Sequence, residues 1–253
     1  MQRRLIPCLL ICLLSCCDLR GQNPQQTARW TIRLLHCVDN VPAVYDTLAY
    51  SNASGNRYAV CRIQYFISRI TLHARGTEVP AGEPQHYADS GLSPTLLWQT
   101  DVPAGRYDSL SFTFGLSPEL NQSYIFRNPP ENLMFWPEAL GGGYHCMKLD
   151  LKYINRNGQI AHFNCHLGNG QEKNPDGQVT GRVGNHFRVT LPLQLTAEAG
   201  KTAETRLVMR IEKWFDAVHR IDFNRFERGI MDNLDAMRLF RENGRQVFDI
   251  LTL

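Results

Sequence analysis

The chain has 253 residues, 43% of them hydrophobic and 20% charged, and its formal net charge at pH 7 is +3. This is the composition of an ordinary soluble globular protein with one large domain or two small ones. The basic residues form no stripe or lysine-rich run, which argues against nucleic acid as a partner.

The first residues have the features of an export signal. Arg3 and Arg4 precede an apolar run over residues 5–14, which is too short for a stable transmembrane helix of about 20 residues. The run ends in Leu-Leu-Ser-Cys, which resembles the lipobox of bacterial lipoproteins. We therefore predict a signal peptide over residues 1–15, lipidation of Cys16 and a polar tether over residues 16–28, with the lipid as the membrane anchor. Ordinary signal cleavage a few residues later is the alternative.

Four cysteines lie in the remaining domain of residues 29–253, at Cys37, Cys61, Cys146 and Cys165. In an oxidising compartment four cysteines most often form two disulfides. The alternative is thiolate ligation of a soft metal. A CxxC spacing is absent from the sequence, so neither a zinc ribbon nor a thioredoxin-like motif is indicated.

From residue 29 the chain reads as short extended runs separated by turns. Alternating or β-branched stretches predict strands over residues 30–36, 58–67, 70–73, 105–115, 145–153, 160–167, 187–195 and 205–215. Residues 80–94 and 167–185 are rich in Gly, Pro and Asn and are predicted to be long loops. This pattern predicts an all-β protein, an antiparallel β-sandwich of about eight strands.

The C-terminal part has a different period. Ile230, Leu234, Met237 and Phe240 recur at helical spacing, and Asn243-Gly244 is a stop signal. We predict one short helix there, of about 12 to 15 residues.

The sequence carries no recognisable enzyme motif. Gly-x-Ser-x-Gly, HExxH, P-loop and GxGxxG patterns are absent. The three consecutive glycines at 141–143 lack the Lys-Ser/Thr that follows a phosphate cradle, and they are better read as a tight loop. We therefore predict a binding protein and not an enzyme.

Three of the eight histidines fall in one predicted hairpin, at His145, His162 and His166. The Asn157-Gly158 pair is a strong turn signal between its strands. His162 and His166 have the same parity and share a face of a regular strand. A single histidine in a strand is usually structural, but this grouping indicates a possible metal site.

One register of this hairpin would produce two features together. If Cys146 lies opposite Cys165, as a disulfide requires, then His145 lies opposite His166 and Met147 joins His145 on that face. Imidazole and thioether are ligands that suit copper, above all Cu(I). A two-residue turn at Asn157-Gly158 would slide both pairings, so this register is one of two.

Several segments, in this order, resemble the methanobactin-associated copper-binding protein family, the MbnP-like domain. They are YSNASGNRYAVCRIQYFISRITL, YDSLSFTFGLSPELNQS, NLMFWPEALGGGYHCMKLDL, FNCHLG, IEKWFDAVHRIDF and IMDNLDAM followed by ENGRQVF. The resemblance covers roughly residues 30–250. It implies an exported, β-rich bacterial protein, often a lipoprotein, and in some members one copper ion held by histidines and a tryptophan oxidised to kynurenine. It also implies a di-haem peroxidase-like partner that performs the oxidation.

The resemblance selects particular positions. His36 in RLLHC, His166 in FNCHLG and His219 in AVHRIDF match recurring histidines of the family, and Trp136 matches the first Trp of its Phe-Trp-x-Trp motif. Glu138 stands where the second Trp is expected. The family likeness thus selects His36, His166 and His219 with Trp136 as neighbour and possible kynurenine precursor, while the hairpin alone selects His145, Met147 and His166, with His162 as a further candidate.

Two classes of function follow. The first is a periplasmic or surface lipoprotein that binds copper for uptake or storage. The second is a non-catalytic β-sandwich surface module that binds a protein or glycan partner through its aromatic loops. Convergence of His36, His166 and a further ligand would distinguish them. For the cysteines we predict disulfides Cys146–Cys165 and Cys37–Cys61.

Lipidation is testable by one substitution. Cys16→Ser removes the acyl acceptor, and we expect the protein to move from the membrane fraction to the soluble fraction, because the remaining tether is polar. Fractionation of cells with immunoblotting measures this, with the neighbouring Cys17→Ser substitution as a matched control. Membrane retention of the Cys16→Ser protein would refute the prediction.

Overall fold

The computed structural model describes residues 26–226 and 229–251, so the predicted signal, most of the tether and Cys16 lie outside the described residues. Within them the chain forms fifteen strands and two α-helices. The strands are β1 (Thr27–Val38), β2 (Val41–Pro42), β3 (Tyr50–Ser51), β4 (Arg57–Ala74), β5 (Thr77–Pro80), β6 (Gln85–Asp89), β7 (Leu97–Pro103), β8 (Gly105–Phe114), β9 (Met147–Ile154), β10 (Ile160–Leu167), β11 (Gly170–Lys173), β12 (Val179–Val183), β13 (Phe187–Ala197), β14 (Thr202–Arg210) and β15 (Phe248–Leu251). The helices are α1 (Lys213–Asp216) and α2 (Leu234–Gly244).

The strands build two packed sheets, which confirms the predicted all-β sandwich. One sheet has the order β15-β14-β1-β2, with β7 also paired to β1. The other has the order β10-β9-β4-β8-β13, with β3, β5 and β6 also paired to β4. A separate hairpin is formed by β11 and β12. The pairing is antiparallel except between β1 and β14, which are parallel, so the sandwich is not antiparallel throughout.

The core between the sheets is aromatic. Trp30 on β1, Tyr65 on β4 and Phe114 on β8 are all at most 1% exposed, and Tyr65 stacks on Phe114 with ring centroids 5.7 Å apart. The only polar atom of the Trp30 side chain is satisfied, because its Nε1 donates to Thr205 Oγ1 at 2.9 Å. A buried indole needs such a partner.

Strand β4 is the centre of the larger sheet. Its burial pattern includes a run of buried residues from Ile63 to Ser68, because side chains on both of its faces are covered. One face packs on the other sheet. The opposite face, called the outer face here, bears Gln64 and Phe66 and is covered by a second apolar cluster that includes Met134 and Tyr144.

Both predicted long loops contain short strands. Residues 85–89 form β6 and pair with β4, and residues 170–183 contain the β11–β12 hairpin. The composition of these segments predicted turns correctly, but the strands between the turns are too short to show a period.

The predicted C-terminal helix is α2, which is shorter than expected. The Asn233 side chain accepts a hydrogen bond from the backbone N–H of Ala236 at 2.9 Å and starts the helix there. Met237 and Phe240 face the core, as the spacing predicted, and the helix ends at Gly244.

A buried ion pair supports the outer face. Asp89 at the end of β6 has a fully buried side chain and receives two hydrogen bonds from Arg62, at 2.9 and 2.6 Å. Tyr87 and the backbone N–H of Gly91 also donate to it, each at 2.8 Å. Burial alone would raise the pKa of Asp89, but these donors hold it below its usual value.

Removal of this carboxylate should therefore destabilise the protein. We expect Asp89→Ala to lower the free energy of unfolding by about 2 kcal/mol, because the donors of Arg62 and Tyr87 lose a charged acceptor. Denaturant unfolding measures this. The matched control is Asp101→Ala, whose ion pair with Arg29 is exposed and should change stability by less than about 0.5 kcal/mol. Equal effects of the two substitutions would contradict the prediction.

Candidate functional site

The hairpin of β9 and β10 presents polar side chains on the outer face. In its register His166 lies opposite Lys148, and Asp150 follows two residues later on the same face. On the other side of β9, Gln64 of β4 lies opposite Lys148. Lys148, Asp150 and His166 are partly buried, while the alternate residues of both strands are buried in the core.

A loop of residues 134–145, here called the Trp136 loop, folds over this row. Its two arms are joined by backbone hydrogen bonds, from Trp136 N to Gly143 O at 2.8 Å and from His145 N to Met134 O at 2.7 Å. The three glycines 141–143 all have positive φ, and a Cβ at Gly143 would overlap the Asn121 side chain. The glycines therefore close a tight loop, as the sequence predicted.

The Trp136 loop brings His145 against His166. Their ring centroids are 5.2 Å apart with an interplanar angle of 80°, although His145 lies outside the strands. The ring of His145 is also in edge contact with Trp136, with centroids 4.7 Å apart. The structure thus joins His145, His166 and Trp136 in one cluster.

Hydrogen bonding leaves one nitrogen of His145 available. Its Nδ1 lies 2.9 Å from the Met134 carbonyl oxygen, which can only accept, so Nδ1 carries the proton. Nε2 is then unprotonated and carries a lone pair. It is buried and has no hydrogen-bond partner among the described residues. Burial lowers the pKa of His145 to about 3, so the ring is neutral at physiological pH.

His166 is held by a carboxylate. Its Nε2 lies 2.7 Å from Asp150 Oδ1, so an Nε2–H donates to Asp150 and leaves Nδ1 as the free nitrogen. Burial would raise the pKa of Asp150, but the hydrogen bond from His166 and the nearby positive charges lower it. A carboxylate or carbonyl partner on one ring nitrogen is the usual support of a metal-binding histidine.

Trp136 lies beside the pair as a buried aromatic ring. Its side chain is fully buried, and its Nε1 donates to the Leu140 carbonyl at 3.2 Å. Gly168 lies against the ring so closely that a Cβ there would overlap the indole. The ring of Trp136 thus lies beside the two imidazoles, and its role as the wall of a metal pocket stays a prediction.

Met147 and His162 are not part of this cluster. Met147 lies opposite Leu167 and points into the core, on the other face from His166. His162 shares the face of His166 but lies four residues away, about 13 Å along the strand, and it is exposed.

The reason is the register of the hairpin. The turn has three residues, 156–158, because Asn155 N donates to Gln159 O and Gly158 N donates to Asn155 O, both at 2.9 Å. The observed register is therefore neither of the two that the sequence left open: the turn has three residues and not two, and it does not place Cys146 opposite Cys165. Cys165 lies opposite Leu149 instead.

Both predicted disulfides are wrong for this structure, in which Cys37, Cys61, Cys146 and Cys165 are free. Cys146 is three positions from the partner of Cys165, about 10 Å along the strand, which exceeds the Cα separation that a disulfide spans. Cys37 and Cys61 belong to different sheets. Burial raises the pKa of all four thiols.

His36 does not converge on His166. It lies near the end of β1, and its Nδ1 and Nε2 are 2.8 and 3.1 Å from the hydroxyls of Tyr45 and Tyr65. Tyr65 faces the core, opposite Met147, so His36 and His166 lie on opposite faces of the larger sheet. Burial lowers the pKa of His36 to about 4, and both of its nitrogens are occupied.

His219 is also remote from the cluster. Its Nε2 contacts Glu242 of α2, and its backbone N–H donates to Asn243 at 2.8 Å. These contacts give it a structural role in connecting the segment after α1 to α2.

Two residues of the site were missed by the sequence analysis, Asp150 and Lys148. Lys148 donates from Nζ to the Leu133 carbonyl at 2.6 Å and fastens the Trp136 loop to β9. The alternation of MKLDLKYI places both on the outer face, and the three-residue turn would have aligned them with His166. The alternation of polar and apolar residues could have placed Lys148 and Asp150 on one face, but their position beside His166 follows only once the register of the hairpin is known.

The residues offer two imidazole nitrogens for a metal, His145 Nε2 and His166 Nδ1. In residues 26–226 and 229–251 no group of three or more His, Cys, Asp or Glu side chains is arranged to hold a metal ion. A two-imidazole site fits a soft ion of low coordination number such as Cu(I), and the orphaned Nε2 of His145 is the observation that supports this fit.

Comparisons agree with the fold. The MbnP family model matches residues 27–232. Among solved structures the chain is similar to MbnP from Methylosinus trichosporium, with a TM-score of 0.54 and 16% identity over 79% of this chain and 80% of that chain. At this identity the likeness shows a shared fold alone. A search of curated proteins gives no match.

The protonation of His145 is testable. We expect it to remain the neutral Nδ1–H tautomer from pH 8 to pH 5, measured by long-range ¹H–¹⁵N NMR, with His145→Gln to assign the signal.

His145 and His36 have lowered pKa values in the folded state, so below pH 6.5 the unfolded chain binds protons that the folded chain does not. The free energy of unfolding should then fall as pH drops from about 6.5 to 4, by up to about 1.4 kcal/mol per pH unit for each ring. Protonation of Nε2 above pH 5 would contradict this.

Proposed function

Because the chain belongs to the MbnP family, we propose that it is an exported lipoprotein that binds one copper ion for uptake or storage, at His145 and His166. The observation that carries the proposal is the buried Nε2 of His145, which has no partner and lies in a ring 5.2 Å from that of His166. Copper bound there would be held as Cu(I) between two neutral imidazoles.

The surrounding residues support a binding role. The Met134 carbonyl contacts Nδ1 of His145 and the Asp150 carboxylate contacts Nε2 of His166, so each partner fixes one ring nitrogen and leaves the other for a ligand. Trp136 and Gly168 exclude water on one side. Lys148 places a positive charge near the pair, which disfavours any cation there and disfavours a divalent ion more than a monovalent one.

Family resemblance supports two further parts of the proposal. Trp136 is the candidate for oxidation to kynurenine, because its ring lies in contact with His145. A di-haem peroxidase-like enzyme is the proposed partner for that oxidation, and the chain itself is proposed to have no catalytic activity. No helix among the described residues is long and apolar enough to span a bilayer; membrane attachment is assigned to the proposed lipid on Cys16.

A second candidate function is binding of a protein or glycan partner. Tyr124, Ile125 and Leu133 are 69%, 45% and 61% exposed beside the Trp136 loop, and Tyr124 stacks on Phe135 at 5.0 Å. Exposed apolar side chains in one place are typical of an interaction surface.

Copper titration distinguishes the two functions. We expect the full-length protein to take up one equivalent of Cu(I) under anaerobic conditions, measured by competition with a chromophoric chelator. His145→Ala and His166→Ala should each weaken binding by at least about tenfold, since each removes one of the two imidazole ligands.

The matched control is His162→Ala, an exposed histidine of the same hairpin, which should leave the affinity unchanged. No uptake by the wild type, or equal losses in all three variants, would remove the site and favour the second candidate.

A further inference from the structure

A concave site lies where β8 ends and β13 begins, apart from the His145–His166 pair. It has a volume of about 590 Å³, and three arginines line it, Arg69, Arg188 and Arg245. His186 and the hydroxyl of Ser117 also line the cleft, and Glu119 is its one carboxylate.

Arg69 is directed into the cleft by an irregularity of β4. The register of β4 with β8 shifts between Ser68 and Thr71, and Arg69 has a left-handed φ of 54°. The backbone N–H of Arg69 donates a hydrogen bond to the Pro84 carbonyl at 2.8 Å. A β-bulge of this kind re-aims a side chain, and a positive φ at a non-glycine residue costs energy that is often spent at a functional site.

The other two arginines come from separate elements. Arg188 lies opposite Thr113 in the β13–β8 pair and donates to Ser111 Oγ at 2.8 Å. Arg245 follows the last residue of α2 and has no side-chain hydrogen bond or ion pair within the described part of the chain. Three parts of the fold therefore bring guanidinium groups to one place.

The carboxylates around the cleft do not neutralise it. Glu119 is 3.8 Å from Arg69 and is 69% exposed, and Glu78 is 3.8 Å from Arg188 and 67% exposed. Both distances are at the limit of an ion pair, and no carboxylate among the described residues pairs with Arg245. Three guanidiniums against two carboxylates, both of them more than half exposed, leave an excess of one positive charge in a concave surface, which concentrates anions.

We propose that this cleft binds a small oxyanion with two or more negative charges, of the phosphate or polycarboxylate class. Guanidinium groups bind such anions through paired N–H donors, and their fixed fork matches the geometry of carboxylate and phosphate oxygens. The cleft is too open for an apolar ligand to be desolvated.

The position of the cleft favours an anion in solution over a lipid headgroup of the anchoring membrane. Residue 26 lies at the other end of the sandwich, because Ala104 N donates to Gln26 O immediately before β8 begins. The ten residues of β8 separate that end from the cleft by roughly 30 Å. A membrane reached through the N-terminal tether therefore lies on the far side from the arginines.

Calorimetric titration of the full-length protein with inorganic phosphate and with citrate tests the proposal. We expect both anions to bind at low ionic strength and to weaken with added salt. Arg245→Gln and Arg69→Asn should each weaken binding by about tenfold; asparagine is chosen because it tolerates a left-handed φ. Glu119→Gln should strengthen binding, a change of sign that loss of structure cannot produce.

The matched control is Arg106→Gln, an exposed arginine at the other end of β8, which should leave binding unchanged. A third arm presents vesicles containing phosphatidylglycerol to the Cys16→Ser protein, and no association is expected. Absence of binding by both anions, an Arg106→Gln loss equal to that of Arg245→Gln, or binding to the vesicles alone would overturn the proposal. Copper titration of Arg245→Gln should match the wild type, so that failure of this site and failure of the copper site are distinguishable.

Discussion

The three-residue turn between β9 and β10 is the constraint on which the candidate site depends. It sets the register in which His166 faces Lys148 and Met147 faces Leu167. Because side chains alternate along a strand, a shift of one residue would send His166 into the core and bring Leu167 to the outer face. The same register aligns Asp150 with His166 for a hydrogen bond. Gly158, with a φ of 75°, permits this turn. One glycine far from the site thus determines which side chains of β9 and β10 face the site.

The buried histidines differ in how many of their ring nitrogens have a hydrogen-bond partner. This difference distinguishes a histidine that only supports the core from a candidate ligand. His36 lies between two tyrosine hydroxyls and uses both nitrogens, so it behaves as a neutral core residue. His145 is equally desolvated but uses one nitrogen. Burial of an unsatisfied polar atom costs about 1–3 kcal/mol, and a metal ion bound at the proposed copper site would offset that cost. Family resemblance ranked His36 above His145; hydrogen bonding reverses that order.

Much of the fold could be predicted from local sequence patterns, whereas the residues that meet at the candidate site could not. Strand alternation predicted the sandwich, and the spacing of Met237 and Phe240 predicted the face of α2. The triple glycine predicted a tight loop, which Gly143 and Asn121 explain. The pairing of His145 with His166 was proposed for a register that the protein does not have; the rings meet because the Trp136 loop folds back over the sheet. The disulfides failed for the same reason, since register and sheet membership depend on contacts between residues far apart in sequence. Lys148 and Asp150 are polar residues in a strand, and nothing local distinguishes them from a solvated face.

The two proposed sites occupy the same end of the sandwich and share a wall. Gly115, which follows β8, lies beside both Cys146 and His186: a Cβ on this glycine would overlap the Cys146 sulfur and come within 3.3 Å of the His186 Cβ. Cys146 is the neighbour of His145, and His186 lines the arginine cleft. A shift of a few tenths of an ångström in residues 115–117 would therefore be felt by both sites, because a packed interior transmits small displacements. Residue 26, in contrast, lies at the opposite end. The fold thus places residue 26 at one end and gathers the His145–His166 pair and the three arginines of the cleft at the other.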